Sequence, residues 1–168
     1  MGIIDITIRE ANAEEILELR HTVLRAGLPA ETARFPGDDR PATRHFVAVE
    51  NGRVVGCLTY LRSEWEGCAA WQLRGMAVAT DRQRNGIGRQ LLQQAETVLC
   101  CESREDLFWC NARISAAVFY EKLGWHTVSE VFDVETAGPH VKMIRRVQPP
   151  KTDKGATNPT PSLPGNEQ

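Results

Sequence analysis

The stretch WQLRGMAVATDRQRNGIGRQLLQQAETVLCC, residues 71–101, decides the fold of this chain. Residues 71–78 are apolar and rich in residues that favour strands, which predicts a buried strand. The polar segment 80–86 holds turn-forming residues and ends that strand. Apolar residues then recur at helical spacing over residues 87–99. The stretch therefore predicts a strand, a loop and a helix in direct succession.

The junction of loop and helix predicts an anion site. Amides of a first helical turn have no partners within the helix, and the helix dipole gives them partial positive charge. Gly86 and Gly88 lack a β-carbon, so an anion can approach the backbone closely. Arg82, Arg84 and Arg89 add full positive charges. The pattern suits a phosphate or pyrophosphate, although a tight turn with a solvated basic loop would look the same.

Two other phosphate-binding motifs are absent from the sequence. There is no G-x-x-x-x-G-K-[ST] segment, which argues against a P-loop NTPase. A G-x-G-x-x-G segment is also missing, because Leu91 stands where the third glycine would be, which argues against a dinucleotide-binding fold.

The junction resembles the acetyl-CoA-binding motif of the GCN5-related N-acetyltransferase (GNAT) family. That motif has a Val or Ile at a strand end, then Gln or Arg, two residues, Gly, one residue, and Gly or Ala. These positions are Val78, Gln83, Gly86 and Gly88 here. The spacing between these four positions also matches that of the family, so the resemblance covers the whole motif.

Other segments extend the resemblance to roughly residues 3–147. It continues at Asn111 and in AVFYEKLGW, residues 117–125. The segments LRHTVLRAGLP and FPGDD, residues 19–29 and 35–39, are similar to a bacterial subgroup of small acetyltransferases with unassigned substrates. The resemblance implies a single-domain α/β GNAT fold. Its mixed, mostly antiparallel twisted sheet would have about seven strands, flanked by about four helices, with a splay between the central strands.

The predicted elements follow the order β, α, β, β, β, α, β, α, β, β, which is typical of an α/β sheet covered by helices. Residues 62–67 are expected to form a polar connection, and a long loop covers 26–44, with a short helix expected around 30–34. The family commonly places this loop beside the acceptor site. The predicted strands are 3–9, 45–50, 53–61, 71–78, 107–112, 125–134 and 140–147; the predicted helices begin at Asn12, near Gly86 and at Ser115. Asn12 followed by Glu15 predicts a capping box, and Asn51-Gly52 predicts a hairpin turn.

The two ends of the chain differ in character. Residues 1–147 are expected to form the acetyltransferase domain. Residues 148–168 are rich in proline and have Leu163 as their only large apolar residue, so we expect them to be disordered.

Composition excludes several classes of protein. With 42% hydrophobic and 25% charged residues the chain is typical of a globular protein. Its net charge of -2 argues against a nucleic-acid partner, and no apolar run suits a membrane span. The start of the chain does not look like a signal peptide, so a cytoplasmic location is expected.

The cysteines predict neither a metal site nor disulfides. Their number, five, is odd, and no C-x-x-C segment occurs. We expect buried, reduced thiols and no bound metal.

The resemblance implies acetyl-CoA as co-substrate and a set of residues that would bind it. The backbone of the central strand would pair with the pantetheine arm, and the N–H of Met76 or Ala77 would polarise the acetyl carbonyl. The loop would hold the pyrophosphate, Asn111 the pantetheine and Lys122 the nucleotide end. The implied binding residues are Met76, Ala77, Val78, Gln83, Arg84, Asn85, Gly86, Ile87, Gly88, Arg89, Asn111 and Lys122.

Tyr120 is the candidate general acid, because the family commonly has a tyrosine at this point of AVFYEKLGW. A phenol can protonate a departing thiolate. The alternative is a packed aromatic residue whose hydroxyl is satisfied within the core.

The general base stays open at this point. The central strand has no acidic residue, since Gln72 and Arg74 are its only polar side chains. The remaining candidates include a water chain and His140, whose ordinary pKa suits proton transfer near neutrality. The acidic candidates are Glu50, Glu64 and Glu66.

The leading hypothesis is an N-acetyltransferase that acts on a primary amine of a small molecule or peptide, with a homodimer as one possible state. One alternative is a non-catalytic acyl-CoA-binding or regulatory module; another is a structural or toxin–antitoxin-like partner protein. An acidic pocket would indicate a polyamine or aminoglycoside acceptor, and a flat groove a peptide. The sequence shows neither.

Overall fold

The computed structural model describes residues 5–148, so the prediction for residues 149–168 lies outside the described residues. Within that range the chain forms eight strands, three α-helices and two short 3-10 helices. The strands are β1 Ile6–Ala11, β2 Arg44–Glu50, β3 Arg53–Trp65, β4 Cys68–Val78, β5 Leu107–Arg113, β6 His126–Thr127, β7 Phe132–Val134 and β8 Gly138–Arg146. The helices are α1 Ala13–Leu24, α2 Ile87–Glu102 and α3 Ile114–Glu121, and the 3-10 helices are Ala30–Ala33 and Thr80–Arg82.

One mixed sheet contains all eight strands. Its order is β1-β2-β3-β4-β5-β8-β6, and β7 also pairs with β8. Every pairing is antiparallel except that of β4 with β5. The predicted α/β class with a mostly antiparallel sheet is confirmed, with eight strands and three α-helices where about seven and four were expected.

The two central strands diverge, as the resemblance implied. Strands β4 and β5 pair only at the three positions Trp71–Phe108, Gln72–Trp109 and Leu73–Cys110. Beyond Leu73, Gly75 adopts a positive φ of 57°, and the register between β3 and β4 shifts nearby. An extra residue of this kind bends a strand and ends its pairing. A cleft therefore opens beside the second half of β4.

The side chain of Arg20 packs against the bend at Gly75. This side chain is fully buried, and a β-carbon at Gly75 would lie only 2.5 Å from its Nε atom. The guanidinium donates to Asp38 at 2.6 Å, to Ala33 O at 2.8 Å and to Thr59 Oγ1 at 2.7 Å. Helix α1, the loop after it and β3 are thus tied together under the cleft.

Helix α2 positions the loop that precedes it. Its apolar face is buried against the sheet, where a β-carbon at Gly56 would lie 3.2 Å from Ile87 and 3.3 Å from Leu91. Burying each such leucine side chain contributes about 1.5–3 kcal/mol. The close contact fixes the first turn of α2, and with it the predicted anion site, at the end of β4.

Several local predictions are confirmed. Asn12 Oδ1 accepts from the Glu15 amide at 3.1 Å, and Glu15 Oε2 accepts from the Asn12 amide at 3.0 Å, which completes the expected capping box. The Asn51-Gly52 turn joins β2 to β3 as predicted.

Three boundary predictions are wrong. Residues 62–65 are not a polar connection but the end of β3, where the hairpin with β4 extends past β2 and alternate side chains can face solvent and still pair. Ser115 does not cap α3; Arg113 precedes the first turn, which has no side-chain cap. The strand expected over 125–134 is two short strands, β6 and β7, that both pair with β8.

Candidate active site

The loop between β4 and α2 ends in a left-handed residue. Gly86 has φ 76° and precedes the first turn of α2, whose amides face outward without a side-chain cap. Gln83 Nε2 donates to Val78 O at 3.1 Å, so that the loop folds back onto β4. Helix, loop and strand end thus meet around one point.

A cavity of about 470 Å³ lies at this point, and we call it the loop cavity. Of the twelve predicted cofactor residues, all but Asn85, Asn111 and Lys122 line it. A β-carbon at Gly88 would lie 3.3 Å from Met76 Cε and 3.4 Å from Phe119 Cζ, so glycine keeps the cavity open there. Position 86 needs glycine for its backbone conformation, whereas position 88 needs it for space.

The charges around the loop differ from the sequence prediction in one respect. Arg82, which also lines the loop cavity, is paired with Glu50 at 2.7 Å and with Asp81 at 3.4 Å. Arg84 and Arg89 have no carboxylate within 4 Å among residues 5–148. The uncompensated positive charge at the loop cavity therefore comes from these two arginines.

Three predicted cofactor residues lie elsewhere. Asn85 donates to Arg82 O at 3.3 Å and lines a separate depression with Glu50. Lys122 is exposed just after α3 and lines neither the loop cavity nor its neighbour. Asn111 lines that neighbouring cavity.

The neighbouring cavity, which we call the second cavity, has a volume of about 400 Å³. It lies in the cleft where β4 and β5 part, and the end of α1 and the turn from β7 to β8 close it. Met76, Ala116 and Tyr120 line both cavities. A molecule in one cavity can therefore meet a molecule in the other at these three side chains.

Tyr120 has its hydroxyl at this meeting point. The side chain is 8% exposed, and the hydroxyl lies 3.6 Å from Met76 Sδ. Its ring packs against Phe119 and Trp125, with centroid distances of 5.1 Å and 5.5 Å. Burial raises the pKa of Tyr120 far above its ordinary value of 10, so the hydroxyl is protonated at neutral pH and can donate.

His140 lines the second cavity and is 7% exposed. Its Nδ1 lies 2.8 Å from Gly138 O. A carbonyl can only accept, so in the neutral imidazole Nδ1 carries the hydrogen and Nε2 is left as a proton acceptor. A neutral His140 in this tautomer can act as a general base through Nε2.

The other base candidates lie away from the meeting point. Glu50 is committed to Arg82, and Glu64 and Glu66 are exposed at the hairpin of β3 and β4. None of the three lines either cavity; His140 does.

The cysteine prediction is partly wrong. Cys57, Cys100 and Cys110 are buried, but Cys68 and Cys101 are exposed. Cys110 lines the second cavity, where burial raises the pKa of its thiol to about 12, so it is no thiolate nucleophile at neutral pH.

Sequence reasoning missed the arginines of the second cavity. Arg25, Arg74 and Arg113 line it, together with Phe35 from the long loop that the family resemblance placed beside the acceptor. No Asp or Glu is among the lining residues. In the sequence, only Arg74 indicated this positive charge, because it is a charged residue on the predicted central strand.

Two features are absent from residues 5–148. No group of three or more His, Cys, Asp or Glu side chains could hold a metal ion there. No helix in that range is both long and apolar enough to cross a bilayer.

Comparison with known proteins identifies the family. The model of the acetyltransferase (GNAT) domain matches residues 41–127. An uncharacterized N-acetyltransferase, YitI of Bacillus subtilis (strain 168), is 28% identical over 149 residues, which cover 85% of this chain and 97% of YitI.

Solved structures show the same fold. An aminoglycoside 6'-N-acetyltransferase complexed with coenzyme A superposes with a TM-score of 0.68 at 16% identity, covering 87% of this chain and 99% of its own. ElaA of Escherichia coli gives a TM-score of 0.71 at 18% identity, covering 85% of this chain and all 100% of its own. The chain belongs to the GNAT family of N-acetyltransferases, which take the acetyl group from acetyl-CoA.

Proposed function

We propose that this enzyme acetylates a primary amine bound in the second cavity, with acetyl-CoA bound in the loop cavity and its thioester at Tyr120. The observation that carries the proposal is the sharing of Met76, Ala116 and Tyr120 by both cavities. A two-substrate transfer needs such a meeting point, because the reacting atoms must come within about 3–3.5 Å of each other.

The loop cavity suits the phosphates and pantetheine of acetyl-CoA. First-turn amides of α2, together with Arg84 and Arg89, would bind the pyrophosphate. The edge of β4 beyond Leu73 is not paired with β5, so its backbone groups are available to an extended amide chain. A Met76 or Ala77 amide would then polarise the acetyl carbonyl.

The proton transfers would use two of the titratable groups that line the second cavity, His140 and Tyr120. His140 Nε2 would accept the proton that the amine loses as its nitrogen bonds to the acetyl carbon. Tyr120 would donate its hydroxyl proton as the carbon–sulfur bond breaks, and solvent would then reprotonate it. A lasting phenolate is disfavoured by the burial that raises the pKa of Tyr120, so this donation must accompany thiolate departure.

Asn111, Asn85 and Lys122 have weaker support as cofactor residues. Asn111 remains proposed for the pantetheine end, since the second cavity that it lines adjoins Met76. Asn85 and Lys122 line neither cavity, so any contact with the nucleotide would be made outside them.

Three broader expectations belong to the same proposal. Five free cysteines favour a reducing compartment, and we propose the cytoplasm. The domain boundary near residue 147 and the homodimer stay predictions; limited proteolysis and light scattering would test them.

Thiol release from acetyl-CoA, measured with and without a panel of primary amines, tests the function. The proposal expects amine-dependent release, with acetylated amine found by mass spectrometry. Coenzyme A binding with no release for any amine would contradict it and would leave a non-catalytic acyl-CoA-binding module in its place.

A further inference from the structure

The second cavity concentrates positive charge that the described protein does not neutralise. We infer that the acceptor is a small amine that also carries an oxyanion group, a carboxylate or a phosphate, and that Arg25, Arg74 and Arg113 bind this group. The inference rests on the proposed function and specifies its acceptor.

The three guanidinium groups lie close to one another. Arg25 and Arg74 stack on the same ring, with their Cζ atoms 5.0 Å and 5.3 Å from the Phe35 centroid. Arg113 and Arg25 both approach Leu24 O, at 3.4 Å and 3.5 Å. Phe35 and the end of α1 thus gather three like charges on one wall.

No carboxylate in residues 5–148 lies within 4 Å of these three guanidinium groups. Asp38, the buried acid of the region, is already paired with Arg20 at 2.6 Å. The acids adjacent in sequence to lining residues are exposed and do not line the cavity; they are Glu121, Asp133 and Glu135.

The arginines retain unused donors. Arg74 donates to Pro36 O at 2.8 Å, and the contacts of Arg25 and Arg113 with Leu24 O are longer. A guanidinium has five N–H groups in a planar fork that matches a carboxylate or phosphate. Most of these donors therefore have no hydrogen-bond partner among residues 5–148 and can bind a ligand.

The electrostatics point the same way. Burial lowers the pKa of Arg25 below its ordinary value, and the neighbouring Arg113 and Arg20 lower it further. Burial likewise lowers the pKa of Arg74, with Asp38 opposing and Arg20 and Arg40 adding to the effect. The attraction of an anion in the cavity would offset the cost of burying these guanidinium groups and their mutual repulsion.

The position of Arg74 limits the size of the acceptor. Arg74 and Met76 are two residues apart on β4, so their Cα atoms are no more than about 7 Å apart. A single small molecule can reach the meeting point with its amine and Arg74 with its anion. A polycation such as a polyamine or an aminoglycoside would meet repulsion instead.

Matched pairs of amines that differ only in the anion test this inference. Suitable pairs are phenylalanine with phenethylamine and phosphoethanolamine with ethanolamine, with spermidine and kanamycin as polycations. Binding to the coenzyme A-loaded protein is measured by calorimetry, and turnover by thiol release. We expect at least one anionic member to bind, and to turn over, at least about ten-fold better than its neutral partner. A preference for phenylalanine over phenethylamine would indicate a carboxylate, and a preference for phosphoethanolamine over ethanolamine would indicate a phosphate.

Variants assign the effect to the cluster. Arg74→Gln and Arg25→Gln should each lower binding and turnover of the anionic member at least about ten-fold more than those of the neutral member. Arg104→Gln, at an exposed arginine outside both cavities, is the matched control, and melting temperatures show that all three variants fold.

Equal or better binding of neutral amines or polycations would overturn the inference, as would binding of none of the panel. An equal loss for both members of a pair in Arg74→Gln would also overturn it. Failure of the proposed function is a different result, since it is the absence of acetyl transfer to any amine while coenzyme A binds.

Discussion

The loop cavity and the second cavity share three side chains but are built differently. Most of the loop cavity comes from one continuous stretch, residues 76–89, with α3 closing it. The second cavity takes side chains from the end of α1, the long loop, β4, β5, α3 and the turn from β7 to β8. One depends on local backbone and glycines, and the other on side chains that only the folded sheet brings together.

We expect the loop cavity to be common to the family and the second cavity to distinguish this enzyme from its relatives. A loop at a helix N-terminus binds a phosphate mainly through backbone amides, which most substitutions of side chains leave in place. A cavity lined by side chains from many elements can change its charge through single substitutions, without changing the fold. In the proposed function, the loop cavity would bind the co-substrate and the second cavity the acceptor.

The largest expected effect is on the loop cavity. Gly86→Glu would place a negative charge against the pyrophosphate, which costs several kcal/mol. We expect coenzyme A affinity to fall at least about 1,000-fold in a calorimetric titration, equivalent to about 4 kcal/mol.

Gly52→Glu is the matched control for that variant. Gly52 also has a positive φ, of 78°, and a β-carbon there would meet no atom within 4 Å, but it lies in the hairpin of β2 and β3. Both variants should lose roughly 1–2 kcal/mol of stability from the left-handed backbone. Equal coenzyme A affinity in the two variants would contradict the role of the loop.

The next effect is on the framework of the second cavity. Asp38→Asn leaves Arg20 as an uncompensated buried charge, and we expect a loss of about 3 kcal/mol in urea unfolding. Asp39→Asn removes an exposed pair with Arg34, which solvent screens, and should change stability little. Similar losses of stability in both variants would show that the buried pair of Asp38 and Arg20 does not stabilise the framework of the second cavity.

The coenzyme A affinity of folded Asp38→Asn should change less than its turnover of the acceptor. Arg20 packs on Phe35, 4.2 Å from the ring centroid, and Phe35 lines the second cavity but not the loop cavity.

A smaller effect comes from a carboxylate outside both cavities. Burial raises the pKa of Glu96 from its ordinary 4.5 to about 7, although Arg145 lies 3.0 Å away and opposes the shift. Between these two values the folded state binds more protons than the unfolded state, so stability should fall as pH rises through the window. Glu96→Gln should flatten this dependence in urea unfolding. A wild-type stability that rises across the window would contradict the assignment.

The sequence predicted those features that depend on near neighbours. The capping box of Asn12 and Glu15, the Asn51-Gly52 turn and the junction at Gly86 each involve residues a few positions apart, so a local pattern suffices. The burial of Arg20 does not follow from any such pattern, because its partners Asp38 and Thr59 lie 18 and 39 positions away. The grouping of Arg25, Arg74 and Arg113 needs the sheet order itself. Residues 62–65 were mistaken for a connection because exposed strand ends carry polar side chains.

The most direct test of the account compares the two tyrosines of the chain. Tyr120→Phe removes the hydroxyl where the cavities meet, and Tyr60→Phe removes a buried hydroxyl that lies 3.4 Å from Glu96 and lines neither cavity. The measurement is kcat for amine-dependent thiol release by both variants.

The account predicts that kcat falls roughly 10²- to 10⁴-fold in Tyr120→Phe with little change in coenzyme A affinity. Tyr60→Phe should keep wild-type kcat and lose about 1 kcal/mol of stability. A Tyr120→Phe enzyme that turns over as fast as Tyr60→Phe would contradict the placement of the reaction at the meeting point of the two cavities.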